Sequence, residues 1–192
     1  MASGNEVEIK FLVDDLNALT RKLRSAGFKL KTKRTHEMNT LYDTADFTLR
    51  NRGELLRIRK YGDEWKLTHK AKSGSETARH KKRVETETEI GDGKKLDAIV
   101  RALGFQPSFT YEKFRAEWTD GKGDVVVDET PIGNVAEIEG PARWIDRTAR
   151  LLGISHEQYV TKNYATLFFE WKQRTGSPAQ NMTFREVGKQ RR

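Results

Sequence analysis

The alternation of charged and apolar side chains along many segments is the feature that most constrains how this chain can fold. Residues 6–11 read Glu-Val-Glu-Ile-Lys-Phe, which puts charge on one face of a strand and apolar side chains on the other. The same period of two predicts strands over 5–12, 28–42, 54–61, 64–72, 82–90, 109–119, 123–129 and 133–140. Glycine and aspartate in the links at 61–64 and 119–123 are typical of hairpins, so we expect an antiparallel sheet.

Four other segments follow the spacing of amphipathic helices, namely 15–26, 94–103, 142–152 and 155–172. Their apolar stripes predict packing against the apolar faces of the strands. If the helices lie outside, the charged faces of the strands must point inward. The expected fold is therefore α+β: an eight-stranded antiparallel β-barrel with a polar interior and helices packed outside, the reverse of small barrels that are filled by apolar side chains.

Several strands carry charges of one sign on their charged face. Arg57 and Arg59 share a face, and so do Lys66 and Lys70, whereas the strand over 82–90 offers Glu85, Glu87 and Glu89. An antiparallel sheet often has one solvated face decorated with charge. Such a face would more often mix the two signs and include uncharged polar residues. The recurrence of single-sign strands therefore favours a shared charged interior.

A closed charged interior creates an electrostatic problem that suggests its ligands. Two carboxylates two residues apart on a strand are ~7 Å apart and repel by ~2.4 kcal/mol at an effective dielectric of ~20. A divalent cation relieves that repulsion, and a polyanion relieves the matching repulsion among arginines and lysines. The chain has no cysteine, and its four histidines are scattered, which disfavours zinc. Carboxylate ligands favour Mg²⁺ or Mn²⁺, so the pattern predicts a metal-bound polyphosphate and phosphoryl or nucleotidyl transfer.

Composition limits the other classes of function. Of the 192 residues, 36 are Lys or Arg and 28 are Asp or Glu, which gives a formal net charge of +8. The basic residues alternate with acids and form no nucleic-acid-binding motif, which disfavours a nucleic-acid partner. We find no apolar run that could span a membrane and no secretory signal, and together with the lack of cysteine this indicates a cytoplasmic protein. The sequence leaves monomer and homodimer open.

The length suits one domain, which we place at residues 1–175. The polar segment 73–83 is typical of a loop. Residues 176–192 lose periodicity and end in Lys-Gln-Arg-Arg, so we expect a basic tail that is partly disordered or loosely packed.

Several short motifs, in order, resemble those of a known family. Residues 6–10 read Glu-Val-Glu-Ile-Lys, 56–59 Leu-Arg-Ile-Arg, 67–70 Leu-Thr-His-Lys and 83–87 Arg-Val-Glu-Thr-Glu. They are followed by Lys113-Phe114-Arg115, Asp128, Glu137-Ile138-Glu139 and Thr161-Lys162-Asn163-Tyr164. Over about residues 5–172 the chain resembles the CYTH family, the triphosphate tunnel metalloenzymes, which includes class IV adenylyl cyclases, thiamine triphosphatases and inorganic triphosphatases.

The resemblance implies a tunnel that binds a triphosphate with Mg²⁺ or Mn²⁺. The implied metal ligands are Glu6, Glu8, Glu87, Asp128, Glu137 and Glu139. The implied phosphate-binding residues are Lys10, Arg57, Arg59, Lys66, Lys70, Lys113, Arg115 and Lys162, with Lys66 near the tunnel mouth and Lys162 reaching in from the last helix. Lys10, Glu85 and Glu87 are implied as catalytic, and Glu85, Glu87 and Asp128 would complete the metal sites or orient basic neighbours.

The choice of activity within the family stays open. Leu55 stands where animal thiamine triphosphatases have the tryptophan that stacks on thiamine, which argues against that substrate. No tyrosine lies between Lys10 and Tyr42, where some inorganic triphosphatases have one that activates water with the signature lysine. The spacing of residues 83–140 is similar to that of class IV cyclases. The leading prediction is an inorganic or nucleoside triphosphatase; the alternatives are an adenylyl cyclase that forms cyclic AMP and pyrophosphate from ATP, and a non-catalytic polyphosphate- or nucleotide-binding module.

Overall fold

The chain forms eight strands and six helices within residues 4–72 and 81–188, which this computed structural model describes, with side chains given for 7–71 and 84–188. The strands are β1 Gly4–Val13, β2 Lys29–Asp43, β3 Leu55–Tyr61, β4 Glu64–Lys72, β5 Lys81–Ile90, β6 Gln106–Thr119, β7 Asp124–Thr130 and β8 Gly133–Glu139. The helices are α1 Leu16–Ser25, α2 Thr48–Asn51, α3 Gly93–Ala102, α4 Ala142–Leu152, α5 Tyr164–Thr175 and α6 Phe184–Gly188. Most of the predicted loop, residues 73–80, lies outside the described residues, and its last part begins β5.

The eight strands close into a barrel, and every neighbouring pair is antiparallel. Their order around the barrel is β1-β5-β4-β3-β2-β6-β7-β8, with β8 pairing back to β1. β2 and β3 lie on the opposite side of this ring from β1 and β8. The predicted eight-stranded antiparallel barrel is confirmed, and the order brings strands that are distant in the sequence onto facing walls.

The largest apolar core lies outside the barrel, as the sequence predicted. Ile9 of β1 and Ile138 of β8 pack there against Leu23 of α1 and Ile145 of α4, and all four side chains are buried. Burying a side chain of this size stabilises the fold by ~1.5–3 kcal/mol. Alternate residues of the same strands point the other way, so external burial of the apolar face directs the charged face inward.

Local signals position the helices on this outer surface. The side chain of Asp15 accepts a hydrogen bond from the amide of Ala18 at 3.0 Å and so caps α1. α3 starts at Gly93, where a β-carbon would come within 2.1 Å of the Trp65 ring of β4. Glycine is therefore required for α3 to lie this close to the sheet. Within the described residues, no helix has the length and apolarity needed to cross a membrane.

The last long helix begins later than predicted. The sequence predicted a helix over 155–172, but the structure has a single 3₁₀ turn at His156–Gln158 and then extended chain before α5. The amide of Val160 donates to the carbonyl oxygen of Lys10 at 2.7 Å, which ties this segment to β1. The side chain of Asn163 then accepts from the amide of Thr166 and caps α5. Pairing with β1 thus overrides the helical spacing.

The expectation of a loosely packed tail is wrong for residues 177–188. β7 pairs with β6 only over Phe114–Thr119, so the earlier part of β6 needs another partner on that edge. The amide of Met182 donates to the carbonyl of Thr110, and the amide of Glu112 donates to the carbonyl of Met182, both at 3.0 Å. The Met182 side chain is fully buried. The segment stays in place because it satisfies backbone groups of β6; residues 189–192 lie outside the described residues.

Candidate active site

A cavity of about 350 Å³ occupies the interior of the barrel and receives side chains from all eight strands. Its charged lining consists of Glu8, Lys10, Lys31, Arg57, Arg59, Lys70, Glu85, Glu87, Lys113, Arg115, Glu117, Asp124, Glu137 and Glu139. The single-sign faces inferred from the sequence therefore converge in one space, because residues two apart on a strand share a face. The start of α5 also lines the cavity through Asn163, Tyr164 and Ala165.

Five basic side chains from three strands form what we call the cation wall. They are Arg57 and Arg59 of β3, Lys70 of β4, and Lys113 and Arg115 of β6. Arg57, Lys113 and Arg115 are buried. Groups this charged are buried only when carboxylates neutralise them or when they serve a ligand.

Asp128 of β7 neutralises the part of the cation wall that lies on β6. Its carboxylate contacts Lys113 Nζ at 2.8 Å and Arg115 through Nε at 2.8 Å and Nη2 at 2.7 Å. The hydroxyl of Tyr164 donates to the same carboxylate at 2.5 Å. Asp128 is fully buried. Of the two roles implied for this residue, the contacts support orienting basic neighbours rather than binding a metal.

Glu85 and Glu87 of β5 play the same part for β3 and β4. Glu85 contacts Lys70 Nζ at 2.7 Å, and Glu87 contacts Arg59 Nη2 at 3.0 Å. The hydroxyl of Thr68 donates to Glu87 at 2.9 Å. Burial would raise the pKa of Glu87, but Arg59 and these hydrogen bonds outweigh it and lower the pKa below its usual value. Glu87 therefore stays ionised as a partner of the cation wall.

Three carboxylates from two paired strands form what we call the acidic edge. Glu8 of β1 with Glu137 and Glu139 of β8 bring one carboxylate oxygen each within 4.8 Å of the others. Glu8 stands directly opposite Glu139 in the β1–β8 pairing. Like charges in that position repel each other. Because β1 and β8 face β2 and β3 across the barrel, the acidic edge faces the arginines of β3.

Lys10 lies within the acidic edge, opposite Glu137 in the same strand pairing. Its ammonium group contacts Glu8 at 2.7 Å and Glu137 at 2.9 Å. Burial would lower the pKa of Lys10, but Glu137 and Glu8 outweigh it and raise the pKa above its usual value. Arg115 also reaches Glu137, at 2.5 Å. Burial would raise the pKa of Glu137, yet Lys10 and Arg115 hold it well below its usual value, so its carboxylate stays ionised.

The acidic edge fits a small divalent cation. Mg²⁺ binds oxygen at ~2.0–2.1 Å, so ligands on opposite sides of one ion are ~4.2 Å apart. The carboxylate oxygens of the acidic edge lie within 4.8 Å of one another, so they need to move closer together to share such an ion, whose neighbouring ligands are ~3 Å apart. They are hard oxygen donors, and neither histidine nor cysteine accompanies them in the group. The residues present therefore suit Mg²⁺ or Mn²⁺.

Two stacked tyrosines, Tyr111 and Tyr164, also line the cavity. The rings of Tyr111 and Tyr164 lie 5.5 Å apart at 19°. Lys113 Nζ lies 4.6 Å from the centre of the Tyr164 ring, within the range of a cation–π contact. Burial first, and then the Asp128 charge, raises the pKa of Tyr164 well above its usual value. Tyr164 thus stays neutral and donates a hydrogen bond to Asp128.

Among the residues chosen from the sequence whose side chains the structure describes, Asp128, Lys66 and Lys162 are not among those that line the cavity. Lys162 is half-exposed and pairs with Glu170 at 2.6 Å, so it does not reach in from the last helix; the extended segment before α5 leaves it outside. Lys66 contacts Glu87 at 3.1 Å beside the cavity. Glu6 lies on β1 two residues before Glu8, but its side chain is outside the described part of the chain.

Sequence reasoning missed several buried polar residues that support the site. Glu37 and Asn39 of β2 and Thr68 of β4 are buried among the charged side chains. The signal was present, since Glu37 and Asn39 alternate with Met38 in a predicted strand, and Thr68 lies between Lys66 and Lys70 on one face. Uncharged or isolated polar residues do not form the runs of one charge that mark the other strands.

An antiparallel barrel of eight strands, with charged residues inside and helices outside, defines the class of triphosphate tunnel proteins to which the motifs pointed. The CYTH domain model matches residues 4–157. The chain belongs to the CYTH family. The resemblance inferred from the sequence is thereby confirmed.

Individual relatives share the fold at low sequence identity. A Methanocaldococcus jannaschii protein named as a candidate adenylate cyclase is 27% identical over 173 residues, which cover 84% of this chain and 97% of that protein. The solved structure of a candidate adenylate cyclase from Vibrio parahaemolyticus has a TM-score of 0.76 at 18% identity and covers 88% of this chain and 99% of its own. A candidate adenylyl cyclase from Hippeastrum, described as having a dominant triphosphatase activity, has a TM-score of 0.63 at 20% identity and covers 86% and 95%. At these identities the two structures establish the fold alone.

Proposed function

We propose that this chain is a divalent-metal-dependent enzyme that binds a triphosphate in the barrel cavity and cleaves a phosphoanhydride bond. The observation that carries the proposal is that both kinds of charge converge in one cavity, where the clustered carboxylates of the acidic edge and the basic side chains of the cation wall line the same space. A triphosphate between them would bind arginine and lysine directly and share a cation with the carboxylates. Arginine is suited to this task because its planar fork matches two phosphate oxygens at once.

The acidic edge would hold the metal ion through Glu8, Glu137 and Glu139. Glu6, two residues before Glu8 in the alternating sequence, is a further proposed ligand. When bound, Mg²⁺ or Mn²⁺ neutralises charge on phosphate oxygens and stabilises the charge that develops during transfer. Asp128 and Glu87, also proposed from the sequence as ligands, would serve this reaction by fixing the cation wall.

The protein's own residues would act mainly by position and charge. Lys10, whose ammonium group lies between Glu8 and Glu137, would stabilise negative charge on a phosphate. The cation wall would align the phosphates and stabilise the leaving group as the bond to phosphorus breaks. Glu85 and Glu87 would keep the lysines and arginines of β3 and β4 in place.

Adenylyl cyclase activity is the second candidate, favoured by the name of the Methanocaldococcus jannaschii relative. In that reaction the ribose 3′-hydroxyl attacks the α-phosphorus, and pyrophosphate leaves. Both activities use the same two charged regions. They differ in which phosphorus faces the attacking oxygen, and this depends on how the nucleotide lies in the cavity.

Product analysis separates the two activities. The protein is incubated with tripolyphosphate or ATP and with Mg²⁺ or Mn²⁺, and the products are resolved chromatographically. We expect phosphate release without cyclic AMP. Cyclic AMP with equimolar pyrophosphate would establish the cyclase instead. If neither substrate turns over with either metal, the enzymatic proposal is wrong for these substrates.

A binding module without turnover is the third candidate, and the double variant Glu6→Gln with Glu8→Gln tests it. Removing two proposed metal ligands should lower activity by roughly a thousandfold or more, whereas phosphate binding by the cation wall should partly survive. Glu129→Gln is a matched control, because Glu129 pairs with Arg34 on the outside of the barrel. Unchanged activity in the double variant would remove these carboxylates from the mechanism.

A further inference from the structure

Glu37 is a buried carboxylate to which the proposed reaction assigns no part. It lies on β2, the strand between β3 and β6, and these two strands carry the arginines of the cation wall and Lys113. It stands directly opposite Lys113 in the pairing of β2 with β6. Its side chain is 1% exposed, so it lies behind the cation wall and not on the open surface of the cavity.

The contacts of Glu37 with the cations are long. Lys113 Nζ lies 3.5 Å from its carboxylate, and Arg59 Nη1 and Arg115 Nε each lie 3.9 Å away. The close contact is a hydrogen bond from the Asn39 amide at 2.8 Å. Among the described groups, Glu37 Oε2 has no hydrogen-bond partner. Burial would raise the pKa of Glu37, but Lys113, Arg115 and Arg59 hold it far below its usual value, so the group is a carboxylate.

The cations do not need Glu37 to stay in place. Lys113 and Arg115 contact Asp128 at 2.7–2.8 Å, and Arg59 contacts Glu87 at 3.0 Å. A buried carboxylate with an unsatisfied oxygen is costly to the fold. A residue that is costly and is not the nearest partner of any cation acts chiefly through its charge.

We propose that Glu37 is a positioning residue that sets the affinity of the cation wall, opposing a bound polyphosphate so that neither substrate nor product is held too tightly. This inference rests on the proposed triphosphate-binding function. A polyanion bound to Lys113, Arg59 and Arg115 would lie on the far side of these cations from Glu37. The carboxylate would repel it through a poorly screened interior, where charge interactions are stronger than in water.

Variants of Glu37 that remove or keep its charge distinguish the effect of the charge from the effect of side-chain shape. Glu37→Gln and Glu37→Met remove the charge at similar volume, and methionine also avoids adding N–H groups beside the cations. Glu37→Asp keeps the charge. Glu129→Gln again controls for the loss of one carboxylate, since Glu129 pairs with an arginine outside the cavity.

Calorimetric titration with tripolyphosphate and with pyrophosphate, in EDTA so that no turnover occurs, measures the effect. We expect the Kd of both anions to fall by about tenfold or more in the two neutral variants and to change by less than about threefold in Glu37→Asp and Glu129→Gln. In metal-supported turnover, KM should fall together with kcat, because pyrophosphate or phosphate leaves more slowly. A purely structural role would instead lower thermal stability and weaken binding.

The outcomes distinguish this inference from the function on which it rests. Unchanged or weaker anion binding in a folded neutral variant, while the wild type binds and cleaves tripolyphosphate, overturns the role of Glu37 alone. If Glu37→Gln does not fold, Glu37→Met gives the same comparison. A wild-type protein that binds neither anion overturns both this inference and the proposed function.

Discussion

The acidic edge and the cation wall face each other across one cavity, but their charges are balanced in different ways. In the cation wall the close pairs are Lys113 and Arg115 with Asp128, Arg59 with Glu87, and Lys70 with Glu85. In the acidic edge, Glu8 and Glu139 stand directly opposite each other on paired strands. Lys10 bridges Glu8 and Glu137, and Arg115 of the cation wall also contacts Glu137.

The difference lies in how closely carboxylates cluster on neighbouring strands. A buried cation is costly alone, and Asp128 neutralises both Lys113 and Arg115, whereas the carboxylates around Arg57 are 3.8–3.9 Å away. The acidic edge concentrates carboxylates of two adjacent strands, and a bound cation would lower its energy. Substitutions in the cation wall should therefore change stability directly, whereas substitutions in the acidic edge should change the response to metal ions.

The largest expected effect is on the cation wall. Asp128→Asn should lower the free energy of unfolding by ~3–5 kcal/mol, because it leaves the buried charge of Lys113 without its nearest carboxylate and removes one of the two close carboxylates of Arg115. Urea unfolding followed by circular dichroism measures the change. A loss below ~1 kcal/mol, the range expected for an exposed ion pair, would show that other carboxylates can replace Asp128.

The next-largest effect is expected at the acidic edge, where a metal ion should stabilise the protein. Mn²⁺ at about 100 times its Kd should stabilise the wild-type protein by ~2.7 kcal/mol, and EDTA should reverse this. For a chain of this length that corresponds to a rise in Tm of roughly 5–11 °C. Glu139→Gln should abolish most of the rise, because it removes one of the three clustered carboxylates.

Differential scanning fluorimetry without any phosphate compound measures the metal response apart from activity. Glu129→Gln should keep the full rise in Tm, since Glu129 lies outside the cavity and pairs with Arg34. An equal rise in the Glu139→Gln variant would place the metal elsewhere.

The smallest effect is expected at a residue that belongs to neither region. Lys162→Ala should change the free energy of unfolding by less than ~0.5 kcal/mol and kcat/KM by less than about twofold, because Lys162 only forms an exposed pair with Glu170. Urea unfolding and steady-state kinetics measure these quantities. A large loss of kcat/KM would mean that Lys162 reaches the substrate, as the sequence had indicated.

The sequence predicted the barrel because its alternation is strong and local. Strands β3, β4 and β5 were expected at 54–61, 64–72 and 82–90 and are found within one residue of those limits. The start of α5 and the docking of residues 177–188 were not predictable in this way. Both depend on single backbone pairings, of Val160 with β1 and of Met182 with β6, to partners far away in the sequence.

The sequence identified most of the charged lining of the cavity but not the pairings within it. Asp128 was a proposed metal ligand by resemblance, and the structure puts its carboxylate on Lys113 and Arg115. Glu37 was not selected at all, because one acidic residue that alternates along a long strand does not form a run of one charge. Its significance comes from its place on β2 between β3 and β6.

The sequence by itself determined which side of each strand is charged, and so which residues could share the interior of the barrel. Period-two alternation is a local property of the sequence. Because the apolar faces are buried outside under the helices, the charged faces must point into the barrel. The tertiary structure alone decided which opposite charges meet. Which charges meet depends on the order and register of the strands, which bring residues of β1 and β8 opposite those of β2 and β3. Pairing between distant segments leaves no trace in the local pattern of a single sequence.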